Sequence, residues 1–237
     1  MDPSGYYKAS DDVFDLSSVG KKATSSDLKA AMLEDMTGVN RTTAINMKAG
    51  SHQAQHIIPR EYVDHPVIKG TGYQVDHAEN GIFAINQKSI TPNALDNSIK
   101  PYNVSSDKIG KYVTNTTQHG TDGKTSFYHE AYSEYVGKKL DEIGKNYGLK
   151  QGMSDSEITK QITNLENNGK IKDLKSDIMS LNQDLRKSHQ DGIDLYLKND
   201  YNMKKKDYYD GGKSKSEAQK QYEKDNFDKT GSKCGHA

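Results

Sequence analysis

The chain has 237 residues, of which 32% are hydrophobic and 28% are charged. Its 33 Lys and Arg residues balance its 33 Asp and Glu residues, so the formal net charge is zero. This balance excludes a disordered polyelectrolyte and a uniformly basic surface for nucleic acid, because both depend on net charge. No apolar run reaches the about 18 residues of a membrane helix, and Cys234 is the single cysteine. We therefore expect no membrane insertion, no internal disulfide and no Cys-x-x-Cys metal site.

The first 50 residues predict a turn followed by one short helix. Residues 2–5 read DPSG, and a Pro and a Gly at this spacing are typical of a turn. The polar residues from Thr24 to Asp27 are suited to cap a helix, and the apolar residues after them recur at helical spacing as far as Met36. We expect this helix to pack on the segment that follows.

Residues 51–150 are predicted to form the core, which starts with two short strands. The semi-apolar run at 52–58 is typical of a strand that ends at Pro59. The Asn-Gly turn pair that starts at Asn80 precedes a second apolar run, which predicts the second strand. A polar loop then leads to His119.

Helices are predicted for the rest of the chain up to residue 198. Apolar side chains recur every three or four residues over 129–147, so His129 falls at the N-terminal end of an amphipathic helix. Within residues 151–198, a capping-box pattern and two apolar stripes divided by an Asn-Asn-Gly break predict two more helices. We interpret these two as a packing arm or dimer surface. Residues 199–237 are interpreted as a polar tail, solvated or disordered.

Three residues of the predicted core suit metal-assisted hydrolysis of a phosphodiester: His56 on the first strand, Asn80 at the second, and His129 on the helix. A divalent cation against the phosphate would offset the negative charge that develops during the reaction. A neutral imidazole can take the proton of the attacking water, and an Asn or a backbone carbonyl can orient its second nitrogen. The pattern therefore predicts a nuclease with one metal.

The same segments resemble a known family. Residues 53–59 (QAQHIIP), residues 80–82 (NGI) and the helix that starts at His129 are similar to the AHH nucleases, a branch of the HNH/endonuclease VII superfamily. That family is named for an Ala-His-His triplet before a hydrophobic pair and a Pro. The resemblance covers residues 50–145. It implies an α+β fold, with a small ββα-metal nuclease core and additional helices.

The resemblance also implies a role for each of four residues. His56 would be the general base that activates water, and Asn80 the supporting Asn of the fold. His129 would be a ligand of one divalent metal ion, whether Mg²⁺, Mn²⁺ or Zn²⁺. His119 matches a second His, which the family places a few residues before the helix His, whereas ten residues separate the two in this chain.

Gln55 stands where the family has the first His of its pair, the one expected to bind the metal. Gln offers one neutral carbonyl oxygen and is a poorer ligand than imidazole. Three explanations are open: a natural variant with weakened metal binding, a substitution that disarms a toxic protein, or a missing ligand supplied by His52 or Asp76. We prefer the second, because an active intracellular nuclease is hard to produce in quantity.

A second resemblance concerns residues 2–5. They are similar to the Asp-Pro-x-Gly junction at which the shell of bacterial Rhs (rearrangement hotspot) proteins releases its C-terminal toxin, although Tyr6 stands where that family usually has Leu. This resemblance implies a polymorphic toxin that is released from a parent Rhs shell, in the manner of type VI secretion effectors. The toxin would reach the cytoplasm of a target bacterial cell, and an immunity protein would neutralise it in the producer.

Three functions compete on these observations. The predicted one is a metal-dependent DNA endonuclease that acts as an antibacterial effector. The alternatives are a catalytically degenerate binding or assembly module, favoured by Gln55 and zero net charge, and an RNase with the same chemistry. Zero net charge argues against extensive phosphate contacts, but a metal-centred contact needs only a local positive site. The expected partners are DNA, the immunity protein, the Rhs shell and a second copy of the chain.

Overall fold

The computed structural model describes residues 13–19, 24–48, 50, 52–85, 97–118 and 126–190. Within these ranges lie helices and one three-stranded sheet, so the predicted α+β class is confirmed. None of the helices in the described ranges combines the length and apolar character needed to cross a membrane. The helices are α1 (Ser25–Thr37), α2 (Arg41–Asn46), α3 (Pro66–Thr71), α4 (Ser106–Tyr112), α5 (Ser126–Asn146), α6 (Asp155–Asn167) and α7 (Ile171–Gln190), and the strands are β1 (His52–His56), β2 (Gly81–Ile85) and β3 (Val113–Gln118).

β2 is the central strand of the sheet. It pairs with β1 in antiparallel fashion, in a register that places Gln55 opposite Ile82 and His56 opposite Gly81. β3 pairs with β2 in parallel. The two predicted strands are therefore present, adjacent and antiparallel, and β1 is an edge strand that leaves the sheet at His56.

The prediction of a polar loop before His119 is wrong for residues 106–118, because these residues form α4 and β3. The sequence of β3 is VTNTTQ, and it has neither the alternating pattern of a half-buried strand nor an apolar run. Its Val and Thr residues are β-branched and favour extended backbone, but this preference depends strongly on context. Parallel pairing with β2 therefore determines the conformation of a segment whose own pattern predicts a loop.

The two faces of β2 pack against different helices. Phe83 belongs to a buried cluster formed with Leu28 and Met32 of α1. Gly81 permits this close approach of α1, since a Cβ atom at this position would lie 2.4 Å from Sδ of Met32. Ile82 faces the other way and belongs to a second cluster, which contains residues of α5, α6 and α7. The start of β2 is therefore enclosed from both sides.

α1 begins as predicted. The side chain of Thr24 accepts a hydrogen bond from the backbone N–H of Asp27 at 3.0 Å and thereby caps the helix. Gly38 ends it with φ of +73°, in the left-handed region that glycine adopts without strain. The helix packs on β1 and β2, as expected for a segment that precedes the core.

α6 and α7 confirm the predicted capping box and the break between the two helices. The Ser154 side chain accepts from the backbone of Glu157, whose carboxylate accepts from the backbone of Ser154. Gly169, with φ of +68°, follows the end of α6. The apolar stripes of both helices lie in the same buried cluster as α5, so these side chains offer no exposed surface to a second copy of the chain. The stripe residues are Ile158, Ile162, Leu165, Leu174, Ile178, Leu181 and Leu185.

Candidate active site

A cavity of about 350 Å³ lies beside the end of β1. Its lining includes Gln55 and His56 of β1 and Arg60 of the short 3-10 helix that follows Pro59. Ser25 of α1 and Tyr132 of α5 complete the opposite walls. The cavity therefore brings together two predicted site residues and two helical side chains, Ser25 and Tyr132, that are more than 100 positions apart in the sequence.

His56 is held at one ring nitrogen by a carboxylate. Its Nε2 lies 2.7 Å from Oδ1 of Asp76, while Oδ2 of Asp76 accepts from the backbone N–H of Thr24 at 3.0 Å. A carboxylate only accepts hydrogen bonds, so in neutral His56 the proton is on Nε2 and the lone pair is on Nδ1. No hydrogen bond from the described residues reaches Nδ1. In neutral His56, Nδ1 is therefore the ring nitrogen that can accept a proton.

Gln55 and its neighbour His56 lie on opposite faces of the sheet formed by β1 and β2. Residues directly opposite each other in an antiparallel pair share a face, so Gln55 shares a face with Ile82 and therefore with the cluster that contains Tyr132 of α5. His129 lies three residues before Tyr132 in α5, a spacing that places two positions on the same side of a helix. The side chain of His129 is outside the described part of the structure, as is the whole of His119.

Neither alternative ligand shares the position of Gln55. His52 is three residues from Gln55, about 10 Å along a strand and on the opposite face. Its ring contacts Phe83 edge-on, with the ring centroids 6.4 Å apart. Asp76 uses one oxygen for His56 and the other for Thr24, so its observed role is to orient the imidazole.

The donor set can be compared with the needs of a divalent metal. No cluster of three His, Cys, Asp or Glu side chains suited to a metal occurs among the described residues. Gln55 supplies one neutral oxygen at the cavity, and one such donor alone does not hold a divalent ion. The described residues alone therefore do not make a complete site for a divalent metal.

Asn80 is completely buried at the start of β2. Its Nδ2 donates to the backbone carbonyls of Ile58 at 2.9 Å and Val75 at 2.8 Å, and its Oδ1 accepts from the backbone N–H of Ile58 at 2.7 Å. The same Oδ1 accepts from the Tyr73 hydroxyl and from Asn182, both at 3.1 Å. With its amide engaged in this way and no exposed surface, Asn80 supports the chain just after His56 and does not reach substrate.

Three polar side chains of α7 lie behind the site, and the sequence prediction missed all of them. Asn182, Arg186 and His189 follow the helical spacing of four and three residues along one face. Burial, and secondarily the charge of Arg186, lowers the pKa of His189 to about 3. His189 is therefore neutral at physiological pH, and its Nε2 lies 3.1 Å from the hydroxyl of Tyr132.

Two other histidines cap helices. His65 precedes α3, and its Nδ1 accepts from the backbone N–H of Val67 at 3.2 Å while Nε2 lies 3.1 Å from Asp141. Burial lowers the pKa of His65 against the opposing effect of the Asp141 carboxylate. His77 caps the 3-10 helix that contains Asn80 by accepting from the backbone N–H of Glu79. Both side chains thus hold the backbone at the start of a helix.

Residues 37–178 match a family described as a nuclease family of the HNH/endonuclease VII superfamily with a conserved AHH motif. The chain belongs to the AHH nuclease family. The matched range contains β1, β2 and α5. No curated protein and no solved structure matches the chain. α1 begins before the matched range, and the second half of α7 follows it.

Proposed function

We propose that this AHH nuclease is a metal-dependent DNA endonuclease in which His56 is the general base. The strongest support is the position of His56 at the cavity, with Nε2 fixed by Asp76 and Nδ1 without a partner among the described residues. Membership of a nuclease family identifies the bond to be broken as a phosphodiester. A buried and oriented imidazole supplies the base that its hydrolysis requires.

In this mechanism, Nδ1 of His56 takes a proton from the water that attacks the phosphorus atom. The resulting imidazolium is stabilised by the carboxylate of Asp76, 2.7 Å from Nε2. The bond between phosphorus and the leaving 3′ oxygen breaks, and that oxygen takes a proton from solvent. Arg60 lines the same cavity and would contact a phosphate of the substrate. Gln55, His129 and His119 would hold a divalent cation, which when bound offsets the negative charge that develops on the phosphate.

DNA is the proposed substrate, and a mechanism in which water is the nucleophile is compatible with it. A nuclease that activates water does not need the 2′-hydroxyl of RNA, and this chemistry acts on both nucleic acids. An RNase with the same site is therefore the second candidate. The third candidate is a degenerate binding module, favoured by Gln55 and by the zero net charge of the chain.

The proposed biological role is that of an antibacterial effector. It rests on the resemblance of residues 2–5 to the Rhs release junction, and these residues lie outside the described part of the structure. The chain would be released from its Rhs shell, delivered into the cytoplasm of a target cell and neutralised by an immunity protein in the producer.

The deciding experiment compares the unchanged chain with Gln55→His, Gln55→His/His56→Ala and Gln55→His/Lys172→Ala. Each protein is incubated with plasmid DNA or total RNA in Mg²⁺, Mn²⁺, Zn²⁺ or EDTA. We expect Gln55→His to restore the family motif and to cut DNA in the presence of metal. Removal of the base should reduce the rate by about 10²- to 10⁴-fold. Lys172 is exposed on α7 away from the cavity, so its replacement should leave the rate unchanged.

Each other outcome selects a different function. Cleavage of RNA alone would establish the RNase, and absence of cleavage by every variant with every metal would favour the binding module. The toxin role has its own test in bacterial cells. We expect expression of Gln55→His to stop growth and the additional His56→Ala substitution to restore it, whereas equal growth of both strains would contradict the effector role.

A further inference from the structure

We propose that the second half of α7 is a positioning element of the nuclease site, in which Asn182, Arg186 and His189 hold the backbone around His56. This proposal rests on the proposed role of His56 as general base. It extends the functional unit beyond the range that matches the family, which ends at residue 178.

Asn182 acts through Asn80. It is 1% exposed, and its Nδ2 lies 2.9 Å from the Tyr73 hydroxyl and 3.1 Å from Oδ1 of Asn80. That same Oδ1 accepts from the backbone N–H of Ile58, two residues after His56. Asn182 therefore fixes the orientation of the amide that holds the chain as it leaves β1.

Arg186 binds the backbone on both sides of Asn80. Its guanidinium donates to the carbonyl of Glu79 at 2.7 Å and to that of Gly81 at 3.1 Å. It also donates to the carbonyl of Lys111 in α4 at 2.6 Å. The rigid fork of N–H donors in Arg can reach three carbonyls at once, whereas the single ammonium of Lys cannot reproduce this geometry.

His189 acts through Tyr132 of α5. The Tyr132 hydroxyl donates its one proton to the backbone carbonyl of Ile57, so Nε2 of His189 must donate to that hydroxyl. The chain of hydrogen bonds thus ends on the residue directly after His56.

The three contacts converge on the general base from behind. Those of His189 and Asn182 end one and two residues after His56, and that of Arg186 ends on Gly81, the cross-strand partner of His56. A packing helix requires none of these contacts, because its apolar stripe already lies in the core. Displacement of a catalytic group by about 1 Å can cost about 10²-fold in rate, so support of this backbone has a direct kinetic consequence.

The test compares Arg186→Met, Arg186→Lys and Asn182→Ala with the matched control Leu174→Ala, all in the full chain with Gln55→His. Leu174 is also on α7 and fully buried, but it packs in the core without a hydrogen bond to the site. Unfolding in urea and circular dichroism spectra are used to choose a temperature at which every variant is folded. kcat and KM for plasmid DNA are then measured at that temperature.

We expect Arg186→Met and Asn182→Ala to lower kcat by about tenfold or more with little change in KM, since substrate binding is not their role. Arg186→Lys should recover only part of the rate. Leu174→Ala should lower stability and leave kcat of the folded protein unchanged. Equal kcat values for all folded variants would overturn the proposal and reduce α7 to a packing helix. If Arg186→Met does not fold, the milder Asn182→Ala decides.

A second measurement separates this proposal from the proposed function. The ¹⁵N signals of the His56 ring report its tautomer and environment without any cleavage. We expect them to shift in Arg186→Met and Asn182→Ala and to remain unchanged in Leu174→Ala. A shift without cleavage by any variant would refute the nuclease proposal and keep the positioning role. Unchanged signals in both site variants would refute the positioning role, whatever the rates.

Discussion

The back and the front of the site satisfy their polar groups in opposite ways. At the back, Asn80 and Asn182 are buried, and each amide has partners within the protein. At the front, His56 and Gln55 line the cavity, and Nδ1 of His56 is without a partner among the described residues. A satisfied buried network fixes the backbone, whereas the lone pair on Nδ1 of His56 remains for the attacking water. Stability and reactivity are thereby assigned to different residues of one site.

The largest expected effect is a loss of stability when the buried network at the back of the site is disrupted. Replacement of Asn80 by Ala would leave the Ile58 N–H and two backbone carbonyls buried without their partner. Each such group costs about 1–3 kcal/mol, so we expect the free energy of unfolding to fall by about 3 kcal/mol or more. Urea denaturation measures the change.

The control for Asn80→Ala is Asn168→Ala, at an exposed asparagine whose side chain donates to Asn164 alone among the described residues. Its effect should stay within about 0.5 kcal/mol. If Asn80→Ala lowers the free energy of unfolding by less than about 1 kcal/mol, the back of the site tolerates unsatisfied polar groups. The proposed difference between the back and the front would then be contradicted.

The role of the carboxylate at the front of the site is tested by Asp76→Asn, which keeps the shape of the side chain and removes its charge. We expect kcat in the Gln55→His chain to fall by about 10²- to 10⁴-fold. The amide NH2 would face Nε2 of His56, so the proton would move to Nδ1 and block the proposed base. Stability should change little, since the amide oxygen can still accept from Thr24. Initial cleavage rates and urea denaturation measure both quantities.

The matched control for Asp76→Asn is Glu166→Gln, which removes an exposed carboxylate on α6. It should leave kcat unchanged. A similar kcat for both variants would show that Asp76 does not act on His56, and would return it to consideration as a metal ligand.

The segments that carry His56 and Asn80 could be predicted from the sequence to a greater extent than the contacts that α7 makes with them. His56 and Asn80 lie next to short motifs with recognisable turn and strand chemistry, so their elements were predicted correctly. The partner of His56 was not, because Asp76 is 20 residues away and was considered only as a metal ligand. Arg186 is 105 residues from Gly81, and no local pattern of α7 indicates that carbonyls lie opposite its face. Contacts that join distant segments depend on the packed fold.

The pH dependence of stability tests the burial of His189. Its pKa of about 3 in the folded protein lies below the 6.5 of an unfolded chain, so unfolded molecules bind the proton more readily. The stabilising contribution is therefore complete above pH 6.5 and declines as the pH falls towards 3. We expect the free energy of unfolding, relative to His189→Gln, to decrease by about 1.4 kcal/mol per pH unit below about 6.

Leu174→Ala is the control for this measurement, because it changes the same helix without a titrating group. Its difference from the unchanged chain should be constant with pH. If the difference for His189→Gln is constant as well, His189 titrates alike in the folded and unfolded states, and the back of the site is open to water.

The smallest expected effect concerns Arg60, the one Lys or Arg among the described residues that line the cavity. We expect Arg60→Ala in the Gln55→His chain to raise KM about threefold to tenfold and to leave kcat nearly unchanged. The slope of log(kcat/KM) against log salt concentration should fall by about 1, because one phosphate contact is lost. Lys172→Ala, which removes an equal charge outside the cavity, should change neither quantity. If Arg60→Ala and Lys172→Ala give the same KM and the same salt dependence, Arg60 does not contact phosphate and the metal alone binds it. The difference between the front and the back of the site would then rest on His56 and Asp76 only.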